Sequence, residues 1–135
     1  MEDLDVNGNP PALAGCRCDA VVCQQYWHAG QLIEESNVAF LRFDGGWFRL
    51  YFDCGVIFWR TEEVGPEPFD TPEVNSSFSY PSHDVGRELG LSGLLLARYE
   101  MEPIPRGSRV SFVFENNRRL VFSSVDDNTT YKFIL

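Results

Sequence analysis

Residues 38–60 constrain the fold of this chain more than any other stretch. Two turn signals, Asp44-Gly45-Gly46 and Asp53-Cys54-Gly55, divide it into three short runs rich in aromatic and branched side chains. That pattern specifies an antiparallel meander. Taking Asp44-Gly45 as a two-residue loop suits a type I′ turn, and sets Phe43 opposite Gly46, Arg42 opposite Trp47 and Leu41 opposite Phe48. The alternative loop, Gly45-Gly46, opposes Arg42 to Arg49, and like charges directly opposed are unfavourable. Either register keeps the same two faces. Ala39, Leu41, Phe43, Phe48, Leu50 and Phe52 form an apolar face. Phe40, Arg42, Trp47, Arg49 and Tyr51 form the other. Asp53-Cys54-Gly55 reads as a three-residue loop with Gly55 at positive φ, which sets Trp59 beside Arg49.

A second meander is expected near the C-terminus. It comprises residues 109–115, a turn at Asn116-Asn117, residues 118–124, a turn at Asp126-Asp127-Asn128, and residues 129–135. With Asn116-Asn117 as the loop, Glu115 faces Arg118 and Val113 faces Leu120, an opposite-charge pair beside the turn. Phe43-Asp44-Gly45-Gly46 before Arg49-Leu50-Tyr51-Phe52 resembles Phe114-Glu115-Asn116-Asn117 before Arg119-Leu120-Val121-Phe122. Each meander follows a strand-like run containing a tyrosine, Tyr26 or Tyr99. An internal repeat of two four-stranded halves would explain this; shared turn chemistry alone would also produce it.

The expected architecture is one mainly β domain. Two antiparallel β-meanders form a sandwich or a partly closed barrel, with one short helix. Residues 1–15, containing Asn7-Gly8-Asn9-Pro10-Pro11, read as a flexible N-terminal arm. The domain then covers 16–135: a first β half at 16–60, with a polar connection at 30–37, a Pro-rich acidic connection at 61–92, and a second β half at 93–135. Asp84 and Gly90 are placed to cap a helical turn between them. Ser92-Gly93 interrupts before a strand at 94–101.

The chain has 135 residues with 44% apolar side chains, enough to build a core. Twenty acids against eleven bases give a net charge of −9, which disfavours nucleic acid, because phosphate contacts need cations. The acidity is uneven: residues 61–102 hold nine acids and two arginines, while residues 103–135 hold five bases and three acids. No apolar run is long enough to span a bilayer, and the N-terminus, Met-Glu-Asp-Leu-Asp, lacks the features of a secretion signal. The expected location is cytoplasmic, without membrane association, and there the four cysteines are expected as thiols.

Cys16, Cys18, Cys23 and His28 are the one metal-like constellation, but their spacing does not match paired zinc ligands, and no metal is expected. On a strand, Cys16 and Cys18 share a face that Cys23 opposes. His28 and His83 are candidate general bases for a small hydrolase. Acidic pairs such as Glu34-Glu35 and Glu62-Glu63 are too common to indicate a glycosidase. No phosphate-binding loop, dinucleotide fingerprint or calcium loop is present, and no cofactor is expected.

The candidate binding residues are Arg42, Trp47, Arg49, Tyr51 and Trp59. Trp, Tyr and Arg dominate interface hot spots, and Arg stacks on aromatic rings. The competing expectation is that this face is packed under the rest of the protein. The leading functional reading is a non-enzymatic protein-interaction module, in its concrete form an acidic neutraliser of a basic protein, as toxin-immunity proteins are. The alternatives are a β domain binding a sugar or nucleotide through Trp47, Tyr51 or Trp59, and the hydrolase. A homodimer is compatible with all three.

Overall fold

The computed structural model describes residues 4–66 and 78–135. The strands are β1 (Val6–Asn7), β2 (Cys18–His28), β3 (Gln31–Phe43), β4 (Gly46–Asp53), β5 (Val56–Glu62), β6 (Phe78–Ser79) and β7 (Ser82–Asp84). After helix α1 (Val85–Glu88) come β8 (Leu96–Ile104), β9 (Gly107–Phe114), β10 (Arg119–Val125) and β11 (Asn128–Ile134). A large sheet runs in the order β1-β5-β4-β3-β2-β6, with β7 also on β2; a smaller sheet runs β11-β10-β9-β8. Each half of the chain therefore contributes a four-stranded antiparallel meander, and among the described residues the strand path does not close into a barrel. Within the Pro-rich connection, residues 67–77 lie outside the described residues.

The first hairpin has the expected register, with Phe43 opposite Gly46, Arg42 opposite Trp47 and Leu41 opposite Phe48. The second does not. Asp53 pairs with Val56, so the loop is the two residues Cys54 and Gly55, at φ 49° and 78°. Both central residues sit in the left-handed region, as a type I′ turn requires, with a cysteine where Asn or Gly is usual. The one-residue shift opposes Leu50 to Trp59 and Arg49 to Arg60. It moves Trp59 to the apolar face.

The same kind of shift occurs in the second half. Phe114 N–H bonds the Arg118 carbonyl, and Asn117 N–H bonds the Phe114 carbonyl. The loop is thus Glu115-Asn116-Asn117, closed by Asn117 at φ 67° and by Asn116 Oδ1 accepting from Arg118 N–H. Phe112 rather than Val113 opposes Leu120, and Val110 opposes Phe122. This register gathers the large apolar side chains on one face, where burial of each is worth about 1.5–3 kcal/mol. β8 also continues through Pro103, which is tolerated because β8 is an edge strand.

The stretch 30–37, expected as a polar connection, is instead the first half of β3. Ala29 and Gly30, at φ 50° and 77°, turn β2 directly into it. Its polar residues are satisfied at a distance: Glu34 accepts from Thr129 N–H (2.8 Å) and Glu35 from Tyr131 N–H (3.3 Å), so both carboxylates cap the β11 edge.

The two sheets share one core. Val21, Cys23, Leu41, Leu50, Ile57 and Trp59 meet Leu96, Val110, Phe112, Phe114, Leu120 and Phe122. At one corner the sheets are joined where Gly15 N–H bonds Leu96 O (2.7 Å) and Leu96 N–H bonds Cys16 O (2.9 Å). The segment expected as a loose arm is packed over residues 4–15. β1 pairs in parallel with β5, Leu13 is buried, and Tyr99 Oη donates to Pro11 O (2.6 Å). Helix α1 has the expected ends. Asp84 accepts from Arg87 N–H (3.0 Å). Gly90, at φ 68°, lets Leu91 N–H reach Gly86 O and seats Leu91 in the core.

Candidate protein-docking face

The outer face of the large sheet is built by β3, β4 and β5, whose alternation sends one set of side chains to the core and the other away from it. Arg42 projects from β3, and Trp47, Arg49 and Tyr51 from β4. The register of β5 adds Phe58, Arg60 and Glu62, opposite Tyr51, Arg49 and Trp47 respectively. Each arginine lies over a ring. The guanidinium carbon of Arg42 is 5.6 Å from the Trp47 ring centre, that of Arg49 is 5.4 Å from Tyr51, and that of Arg60 is 5.6 Å from Phe58. The Tyr51 and Phe58 rings stack at 4.8 Å and 7°.

Arg49 and Arg60 are directly opposed like charges, the arrangement that argued against the alternative first-hairpin register. Here it is compensated. Glu62 Oε1 lies 3.0 Å from Arg49 Nε, and Arg60 donates to Trp59 O, Asn7 O and Asn7 Oδ1. Arg42 is exposed, while Trp47, Arg49, Tyr51, Phe58 and Arg60 are half-buried, and Gly65 lies against the Trp47 ring. Acidic residues stand at the strand ends. Asp44 accepts from Arg17 N–H and Asp19 accepts from Gly45 N–H, which fixes the β3–β4 turn; Glu63 is exposed just past β5 at that same end, and Asp53 is exposed at the opposite end. Hydrogen bonds from Arg17 and Gly45 hold the Asp19 carboxyl below its usual pKa.

Of the five sequence candidates, Arg42, Trp47, Arg49 and Tyr51 are brought together. Trp59 is not: it is 1% exposed, with its indole N–H directed at Met101 Sδ (3.4 Å) and its ring packed on Tyr99 and Phe112. Phe58 and Arg60 take its place, and they were legible only through a two-residue Cys54-Gly55 loop.

The other candidates are dispersed. Cys18 and Cys23 are buried in the core, Cys16 is half-buried and His28 is exposed at the end of β2, tilted on Phe78 at 4.8 Å. Burial pushes the Cys18 and Cys23 thiols up to about 12, which leaves them protonated and poor ligands. Among the described residues a tight group of potential ligands is formed by Asp53, Cys54 and Asp127, all exposed, and Cys54 N–H bonds Asp127 Oδ1 (2.7 Å). His83 pairs with Glu88 across the β7–α1 junction. A depression of about 380 Å³ beside Cys54 and Asp127, and another of about 420 Å³ around Arg109, Arg119 and Lys132, include neither Trp47, Tyr51 nor Trp59. No helix among the described residues is long and apolar enough to cross a membrane.

Comparison with known protein families, with characterised proteins and with solved structures finds no match.

Proposed function

We propose that this protein is a non-enzymatic interaction module that docks another protein on the outer face of its large sheet. The observation that carries the reading is the row of three Arg–aromatic pairs across β3, β4 and β5. These are the residue types on which interface binding energy concentrates. Stacking also holds each guanidinium plane in place before a partner arrives, so less side-chain entropy is lost on binding. Asp19, Asp44, Asp53 and Glu63 would form the polar rim around that centre.

The partner that suits this rim and a net charge of −9 is a protein with a basic surface, which the field of the chain would attract and orient. Neutralisation of a basic toxin inside the producing cell is the concrete form of that proposal. Affinity capture from the host at low and high salt tests it. A basic protein retained at low salt and released at high salt supports the reading, and recovery of only acidic partners, or of none, counts against it. The sugar or nucleotide reading draws no support from Trp59, which lies in the core, nor from the depressions described above. Among the described residues, the hydrolase reading draws on the His83–Glu88 pair.

A further inference from the structure

The smaller sheet ends on β8, and the hydrogen-bonding direction of that edge follows from the ladder. Phe114 N–H donates to Arg118 O, so Phe114 points to β10, and alternate residues Phe112 and Val110 point the same way. Val113, Ser111 and Arg109 therefore point to β8, where they pair with Arg98, Glu100 and Glu102. Tyr99, Met101 and Pro103 are left facing outward along the edge. Leu96 also faces outward but is occupied by Gly15 and Cys16. Among the described residues the open edge is thus 97–103, and Glu100 is its midpoint.

We infer that this edge pairs antiparallel with the same edge of a second copy, with the two-fold axis at Glu100. That register overlaps the open stretch completely. It sets Tyr99 opposite the Met101 position of the other copy, so the N–H groups and carbonyls of Tyr99 and Met101 on each strand find partners. On the outer face it sets Arg98 opposite the other copy's Glu102, twice by symmetry. Centring on Tyr99 instead would leave the Met101 N–H at a bulge, because the β8–β9 register slips between Leu96 and Arg98. The two Glu100 side chains would meet at the axis, each beside its own Arg98 (2.8 Å), with Arg119 also holding Glu100 ionised. Protected sheet edges commonly carry charges that repel a second copy. Here Arg98 and Glu102 are of opposite sign across the axis, and each also has an ion-pair partner on its own copy, Glu100 and Arg109.

Sedimentation equilibrium on the whole chain and on two variants, Arg98→Glu and Glu102→Arg, tests this, with circular dichroism confirming that each variant is folded. The wild type is expected to be dimeric. Each variant alone opposes like charges at both outer pairs, and its dimer dissociation constant is expected to rise at least about tenfold. An equimolar mixture of the two restores opposite signs at both outer pairs and is expected to recover the dimer. Glu100→Gln, which removes the like pair at the axis, is expected to tighten it. A wild type that stays monomeric up to about 1 mM, a dimer indifferent to the single variants, or a mixture no tighter than its components overturns the inference. None of these outcomes involves the Arg–aromatic face.

Discussion

Replacing Trp59 with alanine tests the register on which the docking face depends. In the observed pairing the indole is 1% exposed, packs on Tyr99 and Phe112, and directs its N–H at Met101 Sδ. Removing a buried tryptophan costs about 3–5 kcal/mol, through lost transfer energy and the cavity left behind. That is a large part of the roughly 5–15 kcal/mol that holds a domain folded. With a urea slope of about 2 kcal/mol per molar, the unfolding midpoint should fall by about 2 M. Trp47→Ala, on the outer face, should cost less than about 1.5 kcal/mol, a stacked arginine contributing about 0.5–1 of it. Urea titrations followed by far-ultraviolet circular dichroism compare the two directly. Equal losses, or a Trp59→Ala cost under about 1 kcal/mol, would refute the two-residue Cys54-Gly55 loop. They would restore the register that sets Trp59 beside Arg49.

Three other substitutions or reactions test separate parts of the structure. A Cβ on Gly107 would run into the Ser124 carbonyl oxygen, so Gly107→Ala should lower stability by about 1–3 kcal/mol or more, read from the same urea titration. In the native protein iodoacetamide should label exposed Cys54 first, and Cys18 and Cys23 only after unfolding, which peptide mapping would show. Burial raises the Glu34 carboxyl above its usual pKa, although Thr129 N–H pulls the other way. A carboxyl whose folded pKa is raised favours the fold most below its unfolded value near 4.5, and that contribution is lost as pH rises through the folded value. Glu34→Gln keeps an acceptor for Thr129 and should remove this fall, so that wild type and variant diverge in thermal stability above about pH 4.5, with the variant the more stable.

The sequence was most informative where structure is decided locally. The Asp44-Gly45 turn and the alternation around it gave the first hairpin its register and four of the face residues. Asp84 and Gly90 marked a helix whose ends are fixed by their own backbone chemistry. It was least informative where a loop of two or three residues had to be chosen. Cys54 at positive φ and Asn117 at positive φ each moved a strand by one residue, and one residue turns every side chain over. That is why Trp59 went to the core while Phe58 and Arg60 came to the face. The polar run at 31–37 hid a strand because Glu34 and Glu35 find their partners on β11, some 95 residues away, where no local pattern reveals them. The packing of residues 4–15 is likewise nonlocal, resting on β5, Leu96 and Tyr99.

The docking face is tested most directly by quantitative affinity capture from the host with the wild type, with the Arg49→Ala/Tyr51→Ala double variant, and with Lys132→Ala as a control on the opposite sheet. The account predicts that a basic partner retained by the wild type and the control is depleted at least about tenfold by the double variant, as expected for loss of two central contacts. Equal recovery of that partner by all three proteins would contradict it.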